Sequence, residues 1–241
     1  MSVGALVLSD ARFPAGGHAH SGGVEPAAMA GTVTDLASLD VFLRGRLRTA
    51  GMVAAGLAAA ACARARTAEE WTWAELDAEA DARTPSPAQR EASRRQGRAL
   101  LRAARIAWPG ADWLGDLAAL GRSGAPWGEV MAACEHRGGP HHAVVLGAAA
   151  AAAGCAPGEA AHVAAYQSVA GPSSAAVRLL ALDPMRAAGV VAAMAGAIAA
   201  TAEQAARHAA GPLHELPFPS APALDLLAEA HVTAEVRLFE S

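Results

Sequence analysis

Residues 143–154 read AVVLGAAAAAAG, and uncharged, alanine-rich runs of similar length recur at Thr49–Ala63, Ala143–Gly158 and Ala187–Ala202. This feature narrows the fold more than any other. Alanine is the best intrinsic helix former, and its small side chain lets neighbouring helices approach closely. The chain is 53% hydrophobic but only 4% aromatic, so most of its apolar content is alanine. No useful length of sequence alternates with a strand's period of two. The expectation is an all-α protein: a single compact helical domain of about ten closely packed helices with a flexible C-terminal tail. Each uncharged run is shorter than the roughly 20 residues a membrane span needs, and is built of alanine and glycine rather than leucine. Buried helices are therefore expected, with no membrane. Asp10 and Arg12 come too early for the apolar stretch of a signal peptide, so the expected location is the cytoplasm.

Helix punctuation is clear at several points. Thr67-Ala-Glu-Glu70 reads as a capping box opening a helix through WTWAELDAEADA. Ser86-Pro87-Ala88-Gln89 is a second: a serine cap, proline at the first helical position and glutamine at the third. That helix should run to about Trp108. Asp183-Pro184 opens another that should reach about Ala209. Thr34 or Asp35 starts a helix through LASLDVFLRGRLRTA, with a break near Gly51 and a second helix to about Arg66. Further helices are expected at Trp113–Leu120, Trp127–His136, His142–Ala153, Gly158–Val169 and Ala223–Ala230. Residues 1–210 form the expected helical domain. Residues 211–241, with four prolines between Gly211 and Pro222, form a loosely attached, partner-binding tail.

Composition excludes several chemistries. All 19 basic residues are arginine, against 23 acidic ones, and the net charge is −4. A nucleic-acid binder would need a basic footprint. Without lysine there is no P-loop cation and no Schiff base. Cys62, Cys134 and Cys155 stand far apart and read as small buried apolar residues, not as a disulfide or zinc framework.

Against this background RFPAGGHAHSGG, residues 12–23, stands alone. It could be a phosphate cradle, a metal site, a turn or a surface that another protein reads. The missing lysine and the absence of a feeding strand argue against the first. His18 and His20 could ligate a metal, but two imidazoles do not complete a site, and nothing in the sequence says that His141 or His142 joins them. The alternative is that these histidines bond to loop backbone or cap a helix.

Arg90, Arg94, Arg98, Arg102 and Arg105 recur at spacings of four and three, and read as a solvated stripe or a dock for an acidic partner. Ala92, Gln96, Ala99, Ala103 and Ile106 form the opposite, mostly apolar stripe. Glu69-Glu70 with Asp77, Glu79 and Asp81 reads as an acidic surface. The five tryptophans are expected to fill gaps between helices. No hydrolase elbow, zinc helix or cysteine–histidine signature appears, so no catalytic residue and no cofactor is expected.

LSDARFPAGGHAHSGGVE resembles the N-terminal signature of the urease accessory protein F family, roughly L-S-D-S-x-F-P-x-G-G-[FY]-x-H-S-x-G-L-E. Leu8, Ser9, Asp10, Phe13, Pro14, Gly16, Gly17, His20, Ser21, Gly23 and Glu25 fall on it. His18 replaces the aromatic and Val24 the leucine. REASRRQGRALLRAA from Arg90, GPHHAVVLGAAAAAAG from Gly139 and AYQSVAGPSSAAVRLLALDPMRA from Ala165 are similar to later family segments, the last more weakly. Arg237-Leu238-Phe239 suits the family's tail.

The resemblance implies an all-α adaptor and homodimer rather than an enzyme. It implies binding to the D-type (or H-type) accessory protein, joint recruitment of the G-type GTPase, and nickel delivery to apo-urease. It points to Arg12, Phe13, Pro14, Gly16, Gly17, His18, His20, Ser21, Glu25 and Arg237 as residues that contact a partner or shape the surface it meets. The competing expectation is a histidine-based nickel-binding protein using His18 and His20.

Overall fold

The computed structural model describes residues 1–14, 20–67, 72–120, 139–234 and 238–239. Gly16, Gly17, His18, Cys134, Arg237 and the expected helix at Trp127–His136 lie outside them. The regular structure of the described residues is helical, with no strand among them. The α-helices, in chain order, are α1 (Val3–Ser9), α2 (Val24–Met29), α3 (Leu36–Arg46), α4 (Met52–Arg64), α5 (Trp73–Ala82), α6 (Pro87–Ala107), α7 (Trp113–Ala119), α8 (His142–Ala152), α9 (Pro157–Leu180), α10 (Pro184–Ala193), α11 (Ala195–Ala206) and α12 (Pro222–Val232).

The first two alanine runs became the core. The third, Ala187–Ala202, was expected to be buried but is mostly exposed or half-buried. It packs one face on α9 and α4, with Ala187, Met194, Ile198, Thr201 and Ala202 buried. Helix α4 packs against α8, α9 and α11, and α8 is in turn covered by α6 on its other side. Every residue from Ala143 to Ala151 is buried, as is nearly all of α4. A helix that is apolar all round must lie inside. No single helix among the described residues is long and apolar enough to cross a membrane; α10 and α11 reach that length only together, across a 47° bend.

Several boundaries follow their local signals. Asp35 caps α3 through the Ser38 N–H, and Asp183 caps α10 through the N–H groups of Met185 and Arg186. The expected break near Gly51 is a π-helical turn at Leu47–Gly51. Other expectations are corrected. The capping box that opens α5 is Thr72 with Glu75; Glu70 of the expected box lies outside the described residues. Thr67 instead closes α4, its N–H and hydroxyl both donating to Arg64 O. The T-x-x-E signature occurs twice, five residues apart, and the first threonine is already in use. Two short helices, α1 and α2, went unexpected, and the helix from Asp183 is broken at the buried Met194.

The largest correction is α9, which was expected to stop at Val169 but runs on through Pro172 to Leu180. Proline inside a helix costs about 3 kcal/mol or more, because it lacks the N–H that would serve the carbonyl four residues back. Here that carbonyl is Ser168 O, and Arg46 Nε donates to it at 3.1 Å. A hydrogen bond from a charged donor offsets about 1.5–3 kcal/mol of the cost.

The segment after Gly211, expected to hang loosely, is seated on the body in its described residues. Arg64 donates to Ala209 O and Gly211 O at 2.7 and 2.6 Å, and Arg83 donates to the carbonyls of Leu213, Leu216 and Pro217 at 3.0 to 3.2 Å. Helix α12 packs on α6 and α2. Its Glu229 accepts from the Ser86 hydroxyl and, at 3.0 Å, from Ala88 N. Asp225 accepts from the Ser86 backbone. The Ser86 cap on Gln89 N is present at 3.1 Å. The acidic groups at the amino end of α6, where the helix dipole favours them, come from the tail.

Candidate functional site

Two polar constructions stand out in this apolar frame. The first joins α5, α6 and the start of α8. Arg94 is only 3% exposed; its guanidinium reaches Asp77 at 2.8 Å, Asp81 at 2.7 Å and Gly139 O at 2.5 Å. Asp77 also accepts from His141 N at 2.7 Å. His141 is buried, with Nε2 2.8 Å from Asp81 and Nδ1 3.0 Å from the Ser93 hydroxyl. Burial alone would raise the Asp81 carboxyl, but the His141 hydrogen bond and the Arg94 charge outweigh it and hold the group below its usual range.

This corrects the arginine stripe at Arg94 and the acidic surface at Asp77 and Asp81; Arg102 and Arg105 are exposed as expected, and Glu69 and Glu70 lie outside the described residues. The buried face of α6 is Arg94, Gly97, Leu100, Leu101 and Ala104, while Ile106 is 83% exposed. The acidic partner of Arg94 is the chain itself. Asp77, Asp81 and His141 lie close enough to share a cation, within 4.8 Å of one another. However, each carboxylate oxygen already has a donor, and Arg94 supplies the positive charge. Ser93, His141 and Asp81 also stand in the row a hydrolase would use. Ser93 Oγ is occupied by the His142 N–H at 3.2 Å, in mid-helix, and none of the three lines the cavity described next. The arrangement is a clamp between helices.

The second construction is the N-terminal signature. Leu8 is buried on α1, and its carbonyl accepts from Gln167 Nε2 at 2.8 Å. Arg12 is exposed and pairs with Asp10, whose carboxyl this bond holds down at about 2. Phe13 meets Trp108 with ring centroids 5.7 Å apart. Gly22, at φ +59°, fits between Arg46 and Pro172; a Cβ there would stand 2.8 Å from Pro172 Cγ and 3.2 Å from Arg46 Cζ. Gly22 of the signature is thus seated on the proline in α9. Burial pushes the Arg46 guanidinium down to about 10, so it remains charged at neutral pH.

Ser21 and Glu25 are buried, at 0% and 4% exposed. Both therefore lie beneath the surface. Glu25 accepts from the backbone N–H groups of Leu238 and Phe239 at 2.7 and 2.9 Å, and His231 Nε2 lies 3.1 Å from it. Phe239 in turn lies under Arg178, 4.3 Å from guanidinium carbon to ring centre. One signature residue clasps the end of the chain.

Between α1, α3, α9 and the start of α8 lies a cavity of about 400 Å³, with His20, Arg46, His142, Gln167 and Arg178 in its wall. His20 and His142 therefore meet at one cavity, while His141 turns away into the clamp. Burial first, and the charge of His20 second, push His142 down to about 4 from an ordinary 6.5. Between these values the unfolded chain binds a proton that the folded chain refuses. This contribution to stability is complete above about pH 6.5 and is lost as the pH falls towards 4. Urea titrations from pH 7 to 4 should show a shallower loss for His142→Gln than for the parent chain; parallel losses contradict the assignment. Cys62 and Cys155 are buried and free, and burial raises the Cys62 thiol to about 12, which leaves it inert.

With this geometry in view, the comparisons are specific. A family model described as UreF matches residues 33–195. The chain is 46% identical to the urease accessory protein UreF of Mycolicibacterium vanbaalenii over 236 residues, which span 98% of this chain and 97% of that protein. It is 44% identical to the same-named protein of Mycobacterium sp. (strain JLS), and 41% to that of Mycobacterium tuberculosis (strain H37Rv), over the same shares.

Proposed function

The chain belongs to the UreF family of urease accessory proteins, and from that premise we propose that it is a cytoplasmic, homodimeric adaptor for nickel insertion into apo-urease. In this reading it bridges the D/H-type accessory protein and the G-type GTPase and catalyses nothing itself. The observation that carries the reading is the clasp at Glu25. The signature's Gly22 fits against the body, and its buried Glu25 holds Leu238 and Phe239. An adaptor requires such a shaped, rigid surface; an enzyme would require a reactive group in a cavity. Residues 1–210 form the body and residues 211–241 the part that responds to a partner. Arg12, Phe13 and Pro14 lie at the accessible end of the signature, and Gly16, Gly17, His18 and Arg237 complete the proposed contact set.

Co-purification with the D-type and G-type proteins tests this. The parent chain should retain both. Glu25→Ala, which frees residues 238–239, should weaken retention while leaving the helical spectrum unchanged. A parent chain that retains neither partner overturns the reading.

A second reading draws on the meeting of His20 and His142 at one cavity. There the chain would hold nickel directly through neutral imidazoles, with His18 as a further donor. Equilibrium dialysis with nickel, parent against His20→Ala/His142→Ala, separates the two. Stoichiometric binding lost in the variant favours metal transfer through this protein.

A further inference from the structure

A groove of about 590 Å³ runs between the π-turn joining α3 to α4, the outer face of α11 and the proline segment at 216–219. We propose that it docks an acidic peptide segment of another urease maturation protein, with Arg48 taking the carboxylate and Phe218 the neighbouring apolar side chain. The proposal rests on the adaptor reading.

The groove has a fixed wall. Prolines cannot donate backbone hydrogen bonds, so an extended proline segment has little to hold it in place. Here Arg64 and Arg83 fasten five carbonyls between Ala209 and Pro217. Gly56 on α4 admits Pro217, where a Cβ would stand 2.8 Å from the proline Cδ. Leu216 is fully buried beneath. A strip held this firmly leaves Phe218 74% exposed at its lip. A large aromatic presented on a rigid, proline-flanked edge is a usual anchor for a partner.

The charge in the groove is uneven. Arg44 is matched by Asp40 at 2.8 Å, and Glu215 faces His208 at 4.0 Å. Arg48 is exposed and has no carboxylate partner among the described residues. It sits on the π-turn, a rare geometry that widens the helix and recurs at functional positions. One unmatched guanidinium across from an exposed phenylalanine fits a carboxylate next to an apolar residue.

The test measures binding of the full chain to purified D-type protein, G-type protein and apo-urease, one at a time. Arg48→Glu and Phe218→Ala are compared with the parent and with Arg105→Glu, an exposed arginine outside the groove. Arg48→Glu should weaken one of the three partners by about tenfold or more. Added salt should weaken the parent's binding to the same partner, and Arg105→Glu should bind as the parent does. If the parent binds and both groove variants bind equally well, the groove is not the dock and the adaptor reading stands. If Arg48→Glu instead splits a dimer of this chain with partner binding intact, the occupant is a second copy and the proposal fails. If the parent binds none of the three, both readings fall.

Discussion

Arg94→Ala is expected to lose about 3–5 kcal/mol of folding stability in urea titration, enough to leave a domain of ordinary stability barely folded. Arg94 bonds both Asp77 and Asp81, and its third bond holds the Gly139 carbonyl at the approach to α8. Removing it takes the guanidinium from the fully buried Asp77 and leaves Asp81 with the His141 ring at 2.8 Å and the more distant Arg90 at 4.0 Å. The effect should be specific to the charge left behind. Arg94→Met combined with Asp77→Asn and Asp81→Asn should recover much of the loss, because an unpaired buried charge costs more than an absent pair. A loss below about 1 kcal/mol for Arg94→Ala would place the clamp at the surface, where such pairs contribute little.

The second large effect is expected at Gly147. Alanine is the better helix former by about 1 kcal/mol, so Gly147→Ala should stabilise an isolated helix. In this protein it should destabilise by about 1–3 kcal/mol, as overpacking does in a close-packed core. A Cβ at Gly147 would overlap the Ala58 carbonyl oxygen and stand 2.6 Å from the Ala61 methyl, because α4 and α8 touch backbone to backbone there. Gly189→Ala is the matched control. Nothing lies within 4 Å of its Cβ, and it should be neutral or gain stability. The opposite signs of two identical substitutions, read as urea midpoints, measure how closely the alanine helices approach. Equal signs would mean that α4 and α8 part easily.

These two sites show what the sequence could disclose. The two buried alanine runs, caps at Asp35, Ser86 and Asp183, and the break at the π-turn depend on residues within a few positions, and were legible; the exposure of the third run, Ala187–Ala202, was not. The course of α9 through Pro172 depends on Arg46, 122 residues away from the carbonyl it serves. No local pattern encodes that. The α6 face was misread because charge was taken as a sign of solvent. Gly97, Leu100, Leu101 and Ala104 repeat at helical spacing and could have revealed the buried side, with Arg94 in it.

The Glu25 motif was visible as a resemblance, but its bonds to Leu238 and Phe239 close a loop of more than 200 residues. His20 and His142 likewise meet only once α1, α8 and α9 are assembled. Sequence showed which residues to ask about at the site, and the packing of distant helices decided where the described ones sit.

The central claim is that this chain enables nickel insertion by shape and contact alone. The direct measurement is urease activity and nickel content of urease made in a host lacking its own copy of this accessory protein, with and without this chain supplied. The account predicts nickel-loaded, active urease when the chain is present, nickel-poor enzyme when it is absent, and full activation by a Ser93→Ala variant, since the Ser93–His141–Asp81 row performs no chemistry. Urease that is equally active and nickel-loaded without the chain, or activation abolished in a correctly folded Ser93→Ala chain, would contradict it.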